Sequence, residues 1–259
     1  LVVAGGVAAN GAVRAMLDTY ASKMPEESIP VALERSAREA NRSVIEAALK
    51  LGLQEGVGTT LAAAVVHERS LYFLSVGDSA IFHVHAGQAR MVNRPHVFAN
   101  VLDAAVVSGK ISRADAEQHP EREALTSFIG IRVLEEIDRN IVARQLAPGD
   151  TVLLASDGMF KTLDPAGISD CLTGHPQSWP RALVERTLAR QRPGQDNVTV
   201  VSITPDLGVL GEWTPASDES AFSPRQPHGH TTAMQTTDAH ARYAWLVAAI
   251  FLLLVAIGA

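Results

Sequence analysis

Apolar and polar positions along the chain alternate with two different periods. Residues 12–22 and 29–50 carry apolar side chains at helical spacing, and Pro30 suits the first turn of the second segment, so two helices are predicted. Ahead of them, residues 1–4 form an apolar run broken by Gly5 and Gly6, which reads as a buried strand ending in a turn. Residues 61–67, 71–76 and 80–85 are rich in β-branched, aromatic and aliphatic side chains. Glu68-Arg69-Ser70 and Gly77-Asp78-Ser79 separate them, as in an antiparallel meander. Helical spacing returns over residues 97–108 and 112–119. Residues 138–145 and 151–155 read as strands around the turn Pro148-Gly149-Asp150, residues 180–192 as a helix, and residues 197–204 as a closing strand.

Most of these strands are joined by turns too short for a parallel crossover, and the helices fall in pairs between groups of strands. The expected fold is therefore α+β, a central antiparallel β-sandwich flanked by helices in the order α/β/β/α. A chain of 259 residues with 47% apolar content can bury such a core. No internal repeat is present.

Beyond Pro205 the periodicity stops. Pro215, Pro224 and Pro227 lie among Ser, Thr, His, Asp and Gly, so residues 205–242 are expected to be a flexible polar linker after a folded domain of residues 1–204. His228 and His230 in that tract lack the further ligands that a metal site needs. Residues 243–259 are uncharged and almost wholly apolar, with Tyr243 and Trp245 at the head and Arg242 just outside, which predicts a single-pass C-terminal transmembrane helix. Arg242 on the domain side favours a cytoplasmic domain.

A formal charge of −6 argues against a nucleic-acid surface, which needs clustered Lys and Arg. Cys171 is the one cysteine, so no internal disulfide can form, and it reads as a small buried apolar residue. Chemistry is concentrated instead in three acid-containing turns at predicted strand ends: Gly77-Asp78-Ser79, Ser156-Asp157-Gly158 and Asp196-Asn197. Carboxylates gathered on a sheet rim repel one another unless hydrogen-bonded or bound to a cation. Hard oxygen ligands suit Mg2+ or Mn2+, and no Cys/His cluster offers a zinc site. Each turn alone is also what ordinary turn formation produces. A dinucleotide site is the rival for the start of the chain, since Gly6-Val7-Ala8-Ala9-Asn10-Gly11 is one substitution from the glycine fingerprint. That reading needs an acid ending a second strand about 20 residues on, and Glu26 and Glu27 follow Lys23-Met24-Pro25 instead.

The order of the motifs is more telling than any one of them. Val3-Ala4-Gly5-Gly6-Val7-Ala8-Ala9-Asn10-Gly11, Gly58-Thr59-Thr60, Val76-Gly77-Asp78-Ser79, Ala155-Ser156-Asp157-Gly158 and Gln195-Asp196-Asn197-Val198-Thr199 succeed one another. In this order the chain resembles the PPM (protein phosphatase type 2C) family of metal-dependent serine/threonine phosphatases. The resemblance implies hydrolysis of phosphoserine and phosphothreonine by a metal-bound water, with two Mn2+ or Mg2+ ions at the rim of the sandwich. It implies Asp157 and Asp196 as ligands of one metal, the Gly6 carbonyl on the other, Asp78 on an accessory ion, and a structural Thr59-Thr60 pair. Phosphorylated proteins are the implied partners, and the expected anchor adds a membrane-associated serine/threonine kinase or its substrates.

Several positions depart from the family pattern. Gly5 stands where the family has the aspartate that bridges both central metals, and Ala80 follows Asp78 and Ser79 where arginine is common. Pro95-His96 replaces an Asp-His pair, and Lys161 stands four residues after Asp157 where many members place a second acid. The chain opens on Leu1 rather than Met, and a family segment carrying a further acid and a phosphate-binding arginine is expected ahead of it. Lys161 could partly neutralise the accessory site or bind phosphate directly, with a solvated helix face as the ordinary alternative. A catalytically impaired pseudophosphatase that binds phosphoproteins without turnover is the second reading.

Overall fold

The computed structural model describes residues 2–53, 57–205 and 247–254. Helix α1 (Val2–Ala21) and helix α2 (Ile29–Lys50) come first, followed by strands β1 (Thr59–His67), β2 (Ser70–Val76), β3 (Ala80–His85) and β4 (Gln88–Met91). Helices α3 (Ala99–Val107) and α4 (Arg113–Glu117) precede the short strands β5 (Asp138–Arg139) and β6 (Arg144–Gln145). Then come β7 (Thr151–Ala155), α5 (Asp157–Phe160), α6 (Pro165–Cys171), α7 (Trp179–Ala189), β8 (Val200–Ile203) and β9 (Val247–Leu254).

Two antiparallel sheets result. One runs β5-β2-β1-β9, with β6 also on β2, and the other runs β4-β3-β7-β8. Alternation along β1 shows how they stack. Leu61, Ala63 and Val65 join Met16, Leu33, Ala37 and Val44 in a core beneath α1 and α2, while Ala62, Ala64 and Val66 join Ile81, Val152 and Leu154 between the sheets. On the far side, Phe82, Leu153 and Ala155 pack with Met159, Ile168, Trp179 and Leu183 from the later helices. The layers are thus helix, sheet, sheet, helix, as the segment order predicts. Both faces of the central strands are covered, so they read as nearly unbroken apolar runs. Cys171 is buried in the last layer, where its thiol donates to the Gly167 carbonyl.

Both ends of the described chain differ from expectation. Residues 2–4 with Gly5 and Gly6 are not a strand and turn but the first turns of α1; Leu1 lies outside the described residues. Ala4, Ala8, Ala9 and Ala12 give this stretch high helix propensity, and a strand requires a sheet edge to pair with. That edge is taken by β9, which pairs antiparallel with β1 from Thr59↔Leu254 to Val66↔Val247. The same pairing bears on the helix expected over residues 243–259, of which 247–254 are described. Their centre is a strand, and no helix among the described residues is long and apolar enough to cross a membrane. A short apolar run satisfies a buried strand as well as a helix, and the open edge of β1 selects the strand. The linker expected over residues 205–242 and its His228 and His230 lie outside the described residues, Pro205 excepted.

Candidate active site

Pairing of β3 with β7 determines which acids meet. Ala80 opposes Ala155, so the turn before β3 and the turn after β7 share one end of the sheet. Asp78 lies two residues before the first of these and Asp157 two residues after the second. Both are buried, at 5% and 9% exposure.

The turn carrying Asp78 is clamped from several sides. Gly77 has φ of +98°, and a Cβ there would stand 2.4 Å from Thr60 Cγ2, so only glycine fits. The Gly77 amide donates to His96 Nδ1 at 3.0 Å while the His96 amide donates to the Gly77 carbonyl at 2.9 Å. On the other side, Asn93 Nδ2 donates to the Ser79 carbonyl, and the Thr60 and Ser79 hydroxyls lie 2.8 Å apart. Thr60 is fully buried. Burial holds the His96 imidazole below the ordinary histidine pKa, against the pull of Glu136 and Asp138. Beside the turn lies a cleft lined by Arg94, His96, Asn100, Thr126, Glu136 and Asp138.

Asp157 opens the single turn of α5 directly after β7. The preceding Ser156 hydroxyl accepts from the Thr199 amide and donates to the Asn197 carbonyl, which ties this turn to the loop before β8. Gln195 Nε2 donates to the Gly158 carbonyl in the same seam. Asp196 sits in that loop, exposed, with Oδ1 accepting from the Asn197 amide at 2.7 Å. Gly6 lies inside α1, where a carbonyl is directed along the helix axis rather than presented at a strand end.

Lys161, at the C-cap of α5, is drawn into the acid pair. Its Nζ lies 3.0 Å from Asp157 Oδ2, 3.6 Å from Asp78 Oδ2 and 3.3 Å from Glu123 Oε2. Burial opposes the ammonium, yet hydrogen bonding and charge from Asp157, with help from Asp78 and Glu123, hold its pKa above the ordinary lysine value. Burial, followed by the charge of Asp157, pushes the Asp78 carboxyl up, and Lys161 pulls it partly back. The second oxygens are left over: Asp78 Oδ1 and Asp157 Oδ1 are buried without a hydrogen-bond partner.

The fold therefore joins Asp78, Asp157 and Lys161, sets Asp196 on the adjoining loop, and leaves Gly6 in a different kind of element. Glu123 enters from the loop after α4, with nothing in its local sequence to mark it. His96, noted in the sequence only as half of an altered pair, pins the Asp78 turn. Among the described residues no three His, Cys, Asp or Glu side chains gather as a metal cluster. Two buried acids with orphaned oxygens nevertheless fit a hard divalent cation, because Mg2+ and similar ions commonly take one or two carboxylates and fill the remaining positions with water.

Comparison with known proteins identifies the family of the fold. The family model described as Protein phosphatase 2C matches residues 4–182. The serine/threonine phosphatase stp of Listeria innocua is 29% identical over 211 residues, covering 80% of this chain and 82% of that protein. The crystal structure of the Mycobacterium tuberculosis serine/threonine phosphatase PstP/Ppp is similar at a TM-score of 0.63 and 25% identity, covering 77% of this chain and 81% of the other. The catalytic domain of PstP solved in complex with two manganese ions shares the fold at a TM-score of 0.59 and 23% identity, with 76% and 80% covered. The chain belongs to the protein phosphatase 2C family, and its sandwich is a serine/threonine phosphatase domain.

Proposed function

We propose that the chain hydrolyses phosphoserine and phosphothreonine in proteins, in a reaction that needs Mn2+ or Mg2+, at a rate limited by how well the ion is held. The observation that carries this reading is the buried pair Asp78 and Asp157, each with an unpartnered oxygen at one sheet end. Asp78 and Asp157 would hold the ion, with Asp196 on the adjoining loop as a further carboxylate. A bound divalent ion supplies Lewis-acid polarisation of a phosphoryl oxygen and makes a water acidic enough to act as nucleophile near neutral pH. The chain's own part is positional: His96 and Asn93 hold the Asp78 turn, and Ser156 and Gln195 hold the Asp157 turn against the Asp196 loop.

The test is Mn2+-dependent phosphate release from a phosphopeptide by the full chain, by Gly5→Asp and by Asp157→Ala. Turnover should be measurable in the full chain and fall by about 100-fold or more in Asp157→Ala. No metal-dependent turnover in either of the first two, or turnover indifferent to Asp157, overturns the reading.

Gly5 and Lys161 favour the second reading, a pseudophosphatase that binds phosphoproteins. Glycine brings no carboxylate, and the ammonium already offsets part of the acid pair's charge. Phosphopeptide binding without turnover in all three proteins is its signature.

We further propose that the chain works at a membrane with its domain on the cytoplasmic side, on phosphorylated proteins and near a membrane-associated serine/threonine kinase or that kinase's substrates. The support is the uncharged apolar run 243–259 with Tyr243 and Trp245 at its head. Pairing of Val247–Leu254 with β1 competes with that use, because one segment cannot hold both positions.

A further inference from the structure

Two carboxylates buried together need a compensating cation, since each unpaired charge taken from water is costly. In this chain the need is met from within. The Lys161 ammonium has three donors, and three carboxylate oxygens stand around it: Asp157 Oδ2 at 3.0 Å, Glu123 Oε2 at 3.3 Å and Asp78 Oδ2 at 3.6 Å. Asp78 and Asp157 each direct one oxygen to the lysine and keep one without a partner. The lysine backbone is not free to retreat. Its amide donates to the Asp157 carbonyl at 2.9 Å, its carbonyl accepts from Arg192, and the next residue, Thr162, donates to Gln195. Only the side chain can swing away, toward the solvent side where Glu123 is 65% exposed.

We propose that Lys161 is the built-in counter-cation of Asp78 and Asp157, so that a divalent ion binds this pair only by displacing the ammonium. The inference rests on reading the pair as a cation site, and not on turnover. An ammonium and a divalent ion within a few ångströms repel each other strongly in a partly buried site, so the ion meets both an occupied oxygen pair and a like charge. Lys161 thereby sets the metal affinity of the site, and in the metal-free chain it keeps the acids from destabilising the fold.

The experiment uses the full chain, Lys161→Met and Lys161→Arg, with Mn2+ alone as the probe. Mn2+ affinity is measured by calorimetry, and thermal melting is followed in chelator and in excess Mn2+. Lys161→Met keeps an unbranched apolar side chain one atom shorter and removes the terminal charge. It should bind Mn2+ at least about tenfold more tightly than the native chain, melt lower in chelator, and gain more from added Mn2+. Lys161→Arg should track the native chain in all three readings. Native or weaker Mn2+ affinity in Lys161→Met, or unchanged melting in chelator, overturns the proposal. Should Lys161→Met not fold in chelator, refolding on addition of Mn2+ supports it and failure to fold in both conditions overturns it. Tighter Mn2+ binding without phosphate release would uphold this inference while ending the catalytic reading, and phosphate release with unchanged affinity would do the reverse.

Discussion

At His96 one ring makes a contact of the Asp78 turn sensitive to acid. Its Nδ1 accepts from the Gly77 amide, so the proton of the neutral ring sits on Nε2, and protonating Nδ1 would break that bond and create a buried cation. Burial keeps its folded pKa below the ordinary value of about 6.5. Above the ordinary value both folded and unfolded rings are neutral, and the full contribution to stability is present. Between about 6.5 and the lower folded pKa only the unfolded chain takes up the proton, so stability falls as pH falls. The melting temperature should therefore drop between pH 7 and pH 5, and the slope should be shallower in His96→Asn, whose amide oxygen can replace the Nδ1 acceptor. An equal slope in both proteins would assign the pH dependence to other groups.

Elements, rather than residues, make the site. The turn between β2 and β3 is held against β1 because Gly77 packs directly on Thr60, whose hydroxyl is committed to Ser79. A methyl group at Gly77 has to displace a fully buried side chain as well as adopt a left-handed backbone. Gly87, in the turn between β3 and β4, is also left-handed, at φ of +75°, but a Cβ there meets nothing within 4 Å. Gly87→Ala should then cost only the backbone strain, about 1 kcal/mol, and Gly77→Ala about 2 kcal/mol or more beyond that through overpacking. Urea denaturation of the two variants gives the comparison, and equal losses would show that Thr60 yields freely. Much of this level was legible in the sequence. The runs behind β1, β2, β3 and β7 and the helical spacing behind α2 predict their elements well, because apolar runs and periodicity report burial directly. The strand β4 and the helices α5 and α6 leave no such signal, since they are short and carry too few residues for a period to show.

For the whole molecule the contested segment is the apolar C-terminal run. As a strand it closes the β1 edge, whose backbone groups would otherwise lack partners in a buried sheet; in a bilayer it would tether the domain beside membrane-bound substrates and raise their effective concentration. The membrane proposal predicts carbonate-resistant association of the full chain that is lost when residues 243–259 are deleted. A full chain that stays in the supernatant overturns it and leaves the segment to the sheet.

By itself the sequence determined the layered α+β sandwich, the ordered motifs of the phosphatase family and the acidic turns at strand ends. Each of these follows from local spacing, turn chemistry or motif order. Only the tertiary structure decided that Asp78 and Asp157 meet, because that depends on the Ala80↔Ala155 register of β3 and β7. Only there does Lys161 prove to be the partner of both acids, with Glu123 brought in from a distant loop. The described ends of the chain also take their form in this structure from tertiary pairing. Residues 2–6 and 247–254 are apolar enough for either helix or strand, and pairing at one open sheet edge made the first a helix and the second a strand.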